Sequence, residues 1–224
     1  MKLVYFDGRG IVEPARLMLA LARHPYTDDR IAMDAVTGDA PDFDARQAAG
    51  EFCANMTALP ILIVDGVALG QSKSINRYLA RRLGFLGSTE LEAAQIDCVA
   101  EHVDEMAARY AAFTQGKEDV ELAAARQSFD FAWYLEAIEQ CLQANAGFAV
   151  GARRSLADVV IFHFLCDSRY PFPNDERVCA RLAALLPSYP KLAAIVASVG
   201  TEARVRPSVH EMNISGVYEL VCVY

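Results

Sequence analysis

No stretch of this 224-residue chain approaches the roughly 20 consecutive apolar residues that cross a bilayer, so no spanning helix is expected. Cations are the minority. The 21 Lys and Arg stand against 29 Asp and Glu, and the net charge of −8 argues against non-specific binding to nucleic acid or to an anionic membrane surface. The six cysteines, at 53, 98, 141, 166, 179 and 222, include no Cys-x-x-Cys pair and sit mostly in helical or apolar contexts. They read as reduced thiols of a cytosolic protein and not as a disulfide framework. His24, His102, His163 and His210 show no metal-ligand spacing, so no metal is expected. Repeats and low-complexity tracts are absent. The opening MKLVYFDGRG holds too short an apolar stretch for a secretory signal and is expected to enter structure at once.

What is present is apolar. At 54% hydrophobic and 22% charged, the chain can bury a real core, as one large domain or two modest ones. Lys2–Phe6 reads as a short strand, Glu13-Pro14 opens a helix to about Ala22, and DDRIAM gives a second strand. That βαβ spacing argues for parallel pairing. The segment 34–56, rich in Ala, Gly and Asp, is expected to hold one irregular helix near residues 43–52. GFLGS at 84–88 is a natural boundary. Beyond it the pattern is purely helical. Thr89 and Glu92 resemble a capping box, and Ile96, Val99, Val103, Met106 and Tyr110 form an apolar stripe at helical spacing. A second helix is expected over roughly 120–145. Ser155 and Asp158 cap the strongly apolar VVIFHFLC, which should lie at the centre of this half, and shorter helices follow near 175–186 and 190–199. The last twelve residues, apolar and β-branched, are expected to pack across the body.

The most informative stretch is Leu59-Pro60 followed by Gln71-Ser72. Between the pairs, Asp65-Gly66 joins two short apolar runs and predicts a β-hairpin. SKSINRYLARRL then predicts a helix from Ser72, which is read as both N-cap and ligand group. A helix N-terminus offers unpaired N–H groups and a positive dipole end, both suited to a carboxylate. A small peptide with a free acid fits along the strand entry with that acid at Ser72.

At these residues the chain resembles a cytosolic glutathione transferase over nearly its whole length. KLVYFDGRGIVEPARLMLAL is similar to the opening strand and helix of that family, LPILIVDGVALGQSKSINRYLARR to its glutathione half-site, and SLADVVIF to the capped central helix of its second domain. Tyr5-Phe6, Arg9-Gly10 and Glu13-Pro14 most resemble the sigma-type enzymes, which include the haematopoietic prostaglandin D synthases. The resemblance implies an α/β thioredoxin-like domain over 1–83 and an all-helical domain over 89–224. It implies a cis Leu59-Pro60 bond, with the Leu59 backbone on the cysteinyl part of glutathione and Gln71 and Ser72 on the γ-glutamyl carboxylate. It implies a cytoplasmic homodimer in which Glu105, beside Asp104, meets the γ-glutamyl ammonium bound to the other subunit. Tyr5 falls on the catalytic tyrosine, a phenol that stabilises the glutathione thiolate by hydrogen bonding to the charged form. An electrophile pocket is expected around Gly10, Met106, Tyr110 and Phe113.

Three departures bear on that expectation. Ile11 stands where many relatives carry an arginine supporting the tyrosine. Arg9 and Arg16 are candidate substitutes, although Arg16 fits a structural ion pair better. Ala58 replaces the Lys or Gln that grips the glycyl end of glutathione. The segment before Pro60 is longer by about ten residues, and Arg46, its basic residue, is named as the cation for the glycyl carboxylate. Plainer readings stand beside these. Tyr5 alone is a packed strand tyrosine, Met106 and Tyr110 fit a core equally well, and Asp97, Glu101, Asp104 and Glu105 fit a solvated face. Two functions follow. One is glutathione conjugation, or glutathione-dependent isomerisation, of a small hydrophobic electrophile. The other is a non-catalytic binding or structural protein on the same scaffold. A thiol-disulfide oxidoreductase would need a cysteine where Asp7, Gly8 and Arg9 stand.

Overall fold

A computed structural model describes residues 1–34, 37–143, 147–166 and 176–204. The chain divides into two compact units, Met1–Leu83 and Gly84–Tyr224. The apolar tail, with Tyr218 and Tyr224, lies outside the described residues.

The N-terminal unit is built on a four-stranded mixed sheet in the order β2-β1-β3-β4. β1 (Lys2–Phe6) pairs in parallel with β2 (Thr27–Ile31) through the crossover helix α1 (Glu13–Leu21). It pairs antiparallel with β3 (Ile61–Val64), Val4 lying opposite Ile61, and β3 turns through Asp65-Gly66 into β4 (Val67–Gly70). Asp65 and Gly66 have φ +51° and +84°, the left-handed pair that a two-residue hairpin needs. Pro14 sits in the first turn of α1, where its missing N–H breaks no helical bond. Side chains alternate across the strands, so Val4 and Ile61 share one face and Leu3 and Leu62 the other. Phe52 packs with Val4, Ile31, Leu59 and Ile61, and its ring stacks at 5.3 Å on Phe43 of α2 (Pro41–Ala48). α3 (Ser72–Leu83) packs on α1, burying Ile75 and Leu79.

The second unit is helical. Thr89 caps α4 (Glu90–Thr114) by accepting the Glu92 N–H, and Ile96, Val99, Val103, Met106 and Tyr110 are all buried along it. The Glu92 carboxylate reaches back to the Ser88 N–H, one residue earlier than a reciprocal box on Thr89 requires. The single helix expected over 120–145 is two helices, α5 (Asp119–Ser128) and α6 (Phe131–Cys141). The periodicity runs through the break, but Phe129 adopts an extended backbone and Asp130 accepts the Trp133 N–H at 3.0 Å to start α6. Phe129 also packs on Tyr110, Phe131 and Tyr134. α7 (Leu156–Cys166) is buried on every side and packs on α4 and on α9 (Pro190–Arg204). Asp158 closes its N-terminus, accepting the Ser155 N–H at 2.7 Å, the Ser155 hydroxyl at 2.5 Å and the Ala149 N–H at 2.8 Å. α8 (Glu176–Leu185) precedes α9. The buried Glu139 caps α9 across 52 and 53 residues, its two oxygens accepting the N–H groups of Lys191 and Leu192 at 2.8 and 2.9 Å. Among the described residues no single helix is long and apolar enough to cross a membrane.

Candidate active site

Tyr5 stands near the C-terminal end of β1, half-buried against the cluster that contains Leu59 and Ile61. Its phenol oxygen receives a hydrogen bond from the Ile11 backbone N–H, and the Arg16 guanidinium lies 5.9 Å from the ring centroid. Burial, the largest influence, raises its pKa above the ordinary value, while the Ile11 N–H and the Arg16 charge pull it back. The phenol, neutral at physiological pH even at its ordinary pKa, is made harder still to ionise. Its oxygen already accepts one bond, and its own proton remains to be donated. Gly10 fixes where the hydroxyl sits. At φ +60° it adopts a conformation that favours glycine, and a Cβ there would stand 2.9 Å from the Tyr5 oxygen. Gly10, expected in the electrophile pocket, thus abuts the phenol.

The missing arginine at position 11 is answered by a main-chain donor. Arg9 is buried and turns to Glu13 at 3.4 Å. Arg16 is 1% exposed and pairs with Asp28 of β2 at 3.2 Å while donating to the carbonyls of Phe6 and Gly8. Its guanidinium pins the turn that follows Tyr5.

The residues expected to form the half-site lie on the same unit. Leu59-Pro60 is cis, and neither the amide nor the carbonyl of Leu59 is taken by another backbone group among the described residues. Ser72 is the first residue of α3 and not its N-cap. The Gln71 carbonyl accepts the Ile75 N–H at 2.9 Å, which puts the cap at Gln71, whose φ is +65°. Positive φ is uncommon outside glycine and marks a residue held by its surroundings. What holds it is Asn55, which the sequence did not single out. The Asn55 Oδ1 accepts the Gln71 N–H at 2.8 Å, and its Nδ2 donates to the Pro60 carbonyl at 3.1 Å. The one trace in the sequence is the small residue at Gly70. No acidic side chain occupies the first turn of α3.

Other expectations fall elsewhere. Arg46, named for the glycyl carboxylate, is consumed by acids of its own unit. It reaches Glu51 at 2.6 and 2.8 Å, Asp29 at 2.8 and 3.2 Å, and Asp42 at 3.5 Å. The count of basic residues in the segment could not reveal these partners. Tyr110 and Met106, named for the electrophile pocket, are 4% and 1% exposed. Tyr110 packs on Phe129 and Phe131, and Met106 faces Val103, Leu135 and Ile138, so both belong to the core of the helical unit. Phe113 is 41% exposed. Glu105 is exposed and bridges to Arg109 one turn on, at 2.6 Å, and Asp104 beside it is half-buried. Among the described residues no group of three or more His, Cys, Asp or Glu is placed to hold a metal.

Known proteins match this chain along its length. Residues 103–207 match the family described as glutathione S-transferase, C-terminal domain. Glutathione S-transferase 4 of Caenorhabditis elegans is 34% identical over 173 residues, 71% of this chain and 76% of that protein. S-crystallin SL11 of Nototodarus sloanii is 29% identical over 216 residues, 94% and 96% of the two chains. Among solved structures, a Pi-class glutathione S-transferase of Onchocerca volvulus superposes with a TM-score of 0.71 at 25% identity, covering 94% of this chain and 90% of that one. Prostaglandin synthase D of Nilaparvata lugens, at 20% identity and a TM-score of 0.69 over 96% and 98% of the two chains, shares the fold.

Proposed function

The chain belongs to the glutathione S-transferase family and is a glutathione transferase, and we propose that its N-terminal unit moors glutathione along Leu59, Pro60, Gln71 and Ser72 with the sulfur facing the Tyr5 phenol. A free thiol of pKa near ~8.5 is only a few per cent thiolate at neutral pH. Tyr5 donates its proton in a hydrogen bond to the sulfur and stabilises the anion selectively. Lowering the thiol pKa by ~2 units takes about 2.7 kcal/mol, within reach of one bond to a charged acceptor helped by a helix dipole. The thiol proton passes to solvent, and the thiolate forms a sulfur–carbon bond to the electrophile, whose leaving group departs with the electron pair. Tyr5 keeps its proton throughout and acts electrostatically. The γ-glutamyl carboxylate sits on the unneutralised first turn of α3, and the Leu59 amide and carbonyl pair with the cysteinyl residue. The observation that carries this reading is the Tyr5 hydroxyl. It is protonated at neutral pH, accepts the Ile11 N–H, and is abutted by Gly10, which leaves its proton for the sulfur.

The dipeptides Tyr5-Phe6, Arg9-Gly10 and Glu13-Pro14 support a sigma-like enzyme. Its substrates are small hydrophobic electrophiles, taken either in detoxifying conjugation or in isomerisation of the prostaglandin H to D kind. We place it in the cytoplasm as a homodimer, in which Glu105, with Asp104, leaves Arg109 to meet the γ-glutamyl ammonium held by the partner. Tyr5→Phe tests the mechanism. With a generic aryl-halide acceptor, kcat/KM is expected to fall about thirtyfold or more, as loss of a hydrogen bond to a charged group implies. The pKa of bound glutathione, read from thiolate absorbance, should rise towards that of the free thiol. Unchanged activity in Tyr5→Phe refutes the role of the phenol. Wild-type protein that is folded but neither binds nor conjugates glutathione refutes the transferase reading.

A further inference from the structure

We infer that Asn55 is the positioning residue that sets the spacing between the two halves of the glutathione site, so that the cysteinyl and γ-glutamyl parts of one peptide are recognised together. This rests on the reading above. Asn55 ends a short 3-10 turn, Cys53–Asn55, and is 5% exposed. Its amide spans from the Pro60 carbonyl at 3.1 Å to the Gln71 N–H at 2.8 Å. A carbonyl can only accept and an N–H can only donate, so the orientation of the amide is determined, and neither Asp nor Leu can make both bonds. One of its partners follows the residue whose backbone faces the cysteinyl part. The other is the cap of the helix that receives the γ-glutamyl carboxylate.

Two further features show the surrounding backbone shaped around this contact. A Cβ on Gly70 would stand 2.5 Å from the Ala54 carbonyl oxygen and 2.6 Å from the Asn55 Cβ, so β4 closes on the turn because position 70 has no side chain. Met56 and Thr57, immediately after Asn55, are both left-handed at φ +51° and +63°. A β-branched residue there is a genuine outlier. Thr57 is held by its N–H to the Phe52 carbonyl at 3.0 Å and by the Gln47 amide on its own carbonyl at 2.8 Å. Such conformations persist where the structure around them over-determines them, and they gather at ligand clamps. The left-handed segment 56–57 follows Asn55 directly in the chain, and the left-handed Gln71 is bonded to its amide.

A ligand that touches both halves gains from their fixed spacing, whereas one that touches a single half does not. Calorimetry and steady-state kinetics on the full chain test this, with glutathione as the whole ligand and γ-glutamylglycine and cysteinylglycine as competitive half-ligands. In Asn55→Ala, the Kd and KM for glutathione should rise about tenfold while kcat and both half-ligand inhibition constants stay within about twofold. Asn55→Asp should weaken glutathione further than Asn55→Ala, because it loses the donor and sets a negative charge beside the anion-binding end of α3. Gly70→Ala, which displaces Asn55 without altering it, should reproduce the pattern and serves if the Asn55 variants fail to fold. The inference is overturned if wild-type protein binds glutathione and both Asn55→Ala and Gly70→Ala bind it equally well. It is also overturned if whole and half-ligands weaken in parallel, the mark of general loosening. Failure of the wild-type chain to bind glutathione at all sinks the parent reading, and this inference with it.

Discussion

Five of the six described non-glycine residues with positive φ, namely Arg23, Met56, Thr57, Asp65 and Gln71, lie in the N-terminal unit, against Asp119 alone in the helical unit. Buried polar side chains divide in the same way. In the N-terminal unit, Arg16 and Asn55 hold carbonyls at the end of β1 and in irregular backbone, at Phe6, Gly8 and Pro60. In the helical unit, Asp158 and Glu139 end helices. Strained backbone is costly and is kept where a geometry is needed for something besides folding. Satisfied caps stabilise regular structure and ask for no ligand. Asp65 serves its hairpin, but Met56, Thr57 and Gln71 lie at the proposed glutathione site, whereas Asp158 and Glu139 serve the architecture of the second unit.

The largest effect expected from this division is on stability. Asp158→Ala strips the acceptor from two backbone N–H groups and a hydroxyl, all in buried surroundings, and should cost about 3 kcal/mol. Chemical denaturation measures it. If Asp158 is only architecture, glutathione affinity of the folded fraction stays within about twofold, a change worth less than ~0.5 kcal/mol. A tenfold loss of affinity in well-folded Asp158→Ala would break the comparison.

The next effect is on the site. Gly10→Ala asks a side chain to occupy φ +60° and puts a methyl group 2.9 Å from the Tyr5 oxygen. The strain is about 1 kcal/mol, and the hydroxyl must shift by a few tenths of an ångström. The kcat/KM should fall about tenfold, a smaller loss than in Tyr5→Phe, with glutathione affinity largely kept. Equal losses in kcat/KM and in affinity would show that Gly10 shapes the ligand cradle and not the phenol.

Legibility in the sequence follows the same boundary. α3 was readable from Ser72 to Leu83, and the α4 stripe residue by residue, because periodicity reports burial directly. The hairpin was readable because Asp-Gly names its own turn. The break at Phe129-Asp130 was not, since an apolar pattern continues across it and only the Asp130 cap marks it. Of the proposed site, Tyr5, Leu59-Pro60 and Gln71-Ser72 stand out in the sequence as motifs. The Ile11 donor is main chain and leaves no residue signature. Asn55 acts across 16 residues on Gln71, and nothing local declares that contact. The ion pairs of Arg46 with Asp29 and Glu51 were not legible, because those partners are brought to it only by folding. Met106 and Tyr110 fit both a core and a pocket wall in sequence, and the structure shows both buried on the α4 stripe.

The smallest expected effect is a difference in sign on acidification. In the N-terminal unit, the Arg46 guanidinium holds the carboxyls of Asp29 and Glu51 below their usual range, with Lys2 assisting at Asp29. A carboxyl whose folded pKa is depressed contributes stability above its unfolded pKa, near ~4, and that contribution is lost as pH falls through the folded value. These groups are partly exposed, so the loss is modest and screened by salt. Asp158 runs the other way. Burial raises its pKa above the ordinary value despite the bonds from Ser155 and Ala149, so the folded state takes up this proton at a higher pH than the unfolded state does. Acidification therefore favours the fold at this one group and opposes it at Asp29 and Glu51. Hydrogen exchange followed from about pH 5 towards about 2 should show protection falling first around residues 27–31 and 46–51, with the amides of 155–160 holding. Arg46→Gln should flatten the acid response of the first segment alone. Loss of protection in both segments together, unchanged by Arg46→Gln, would mean that the two units answer protons as one body and that the contrast between them ends at the backbone.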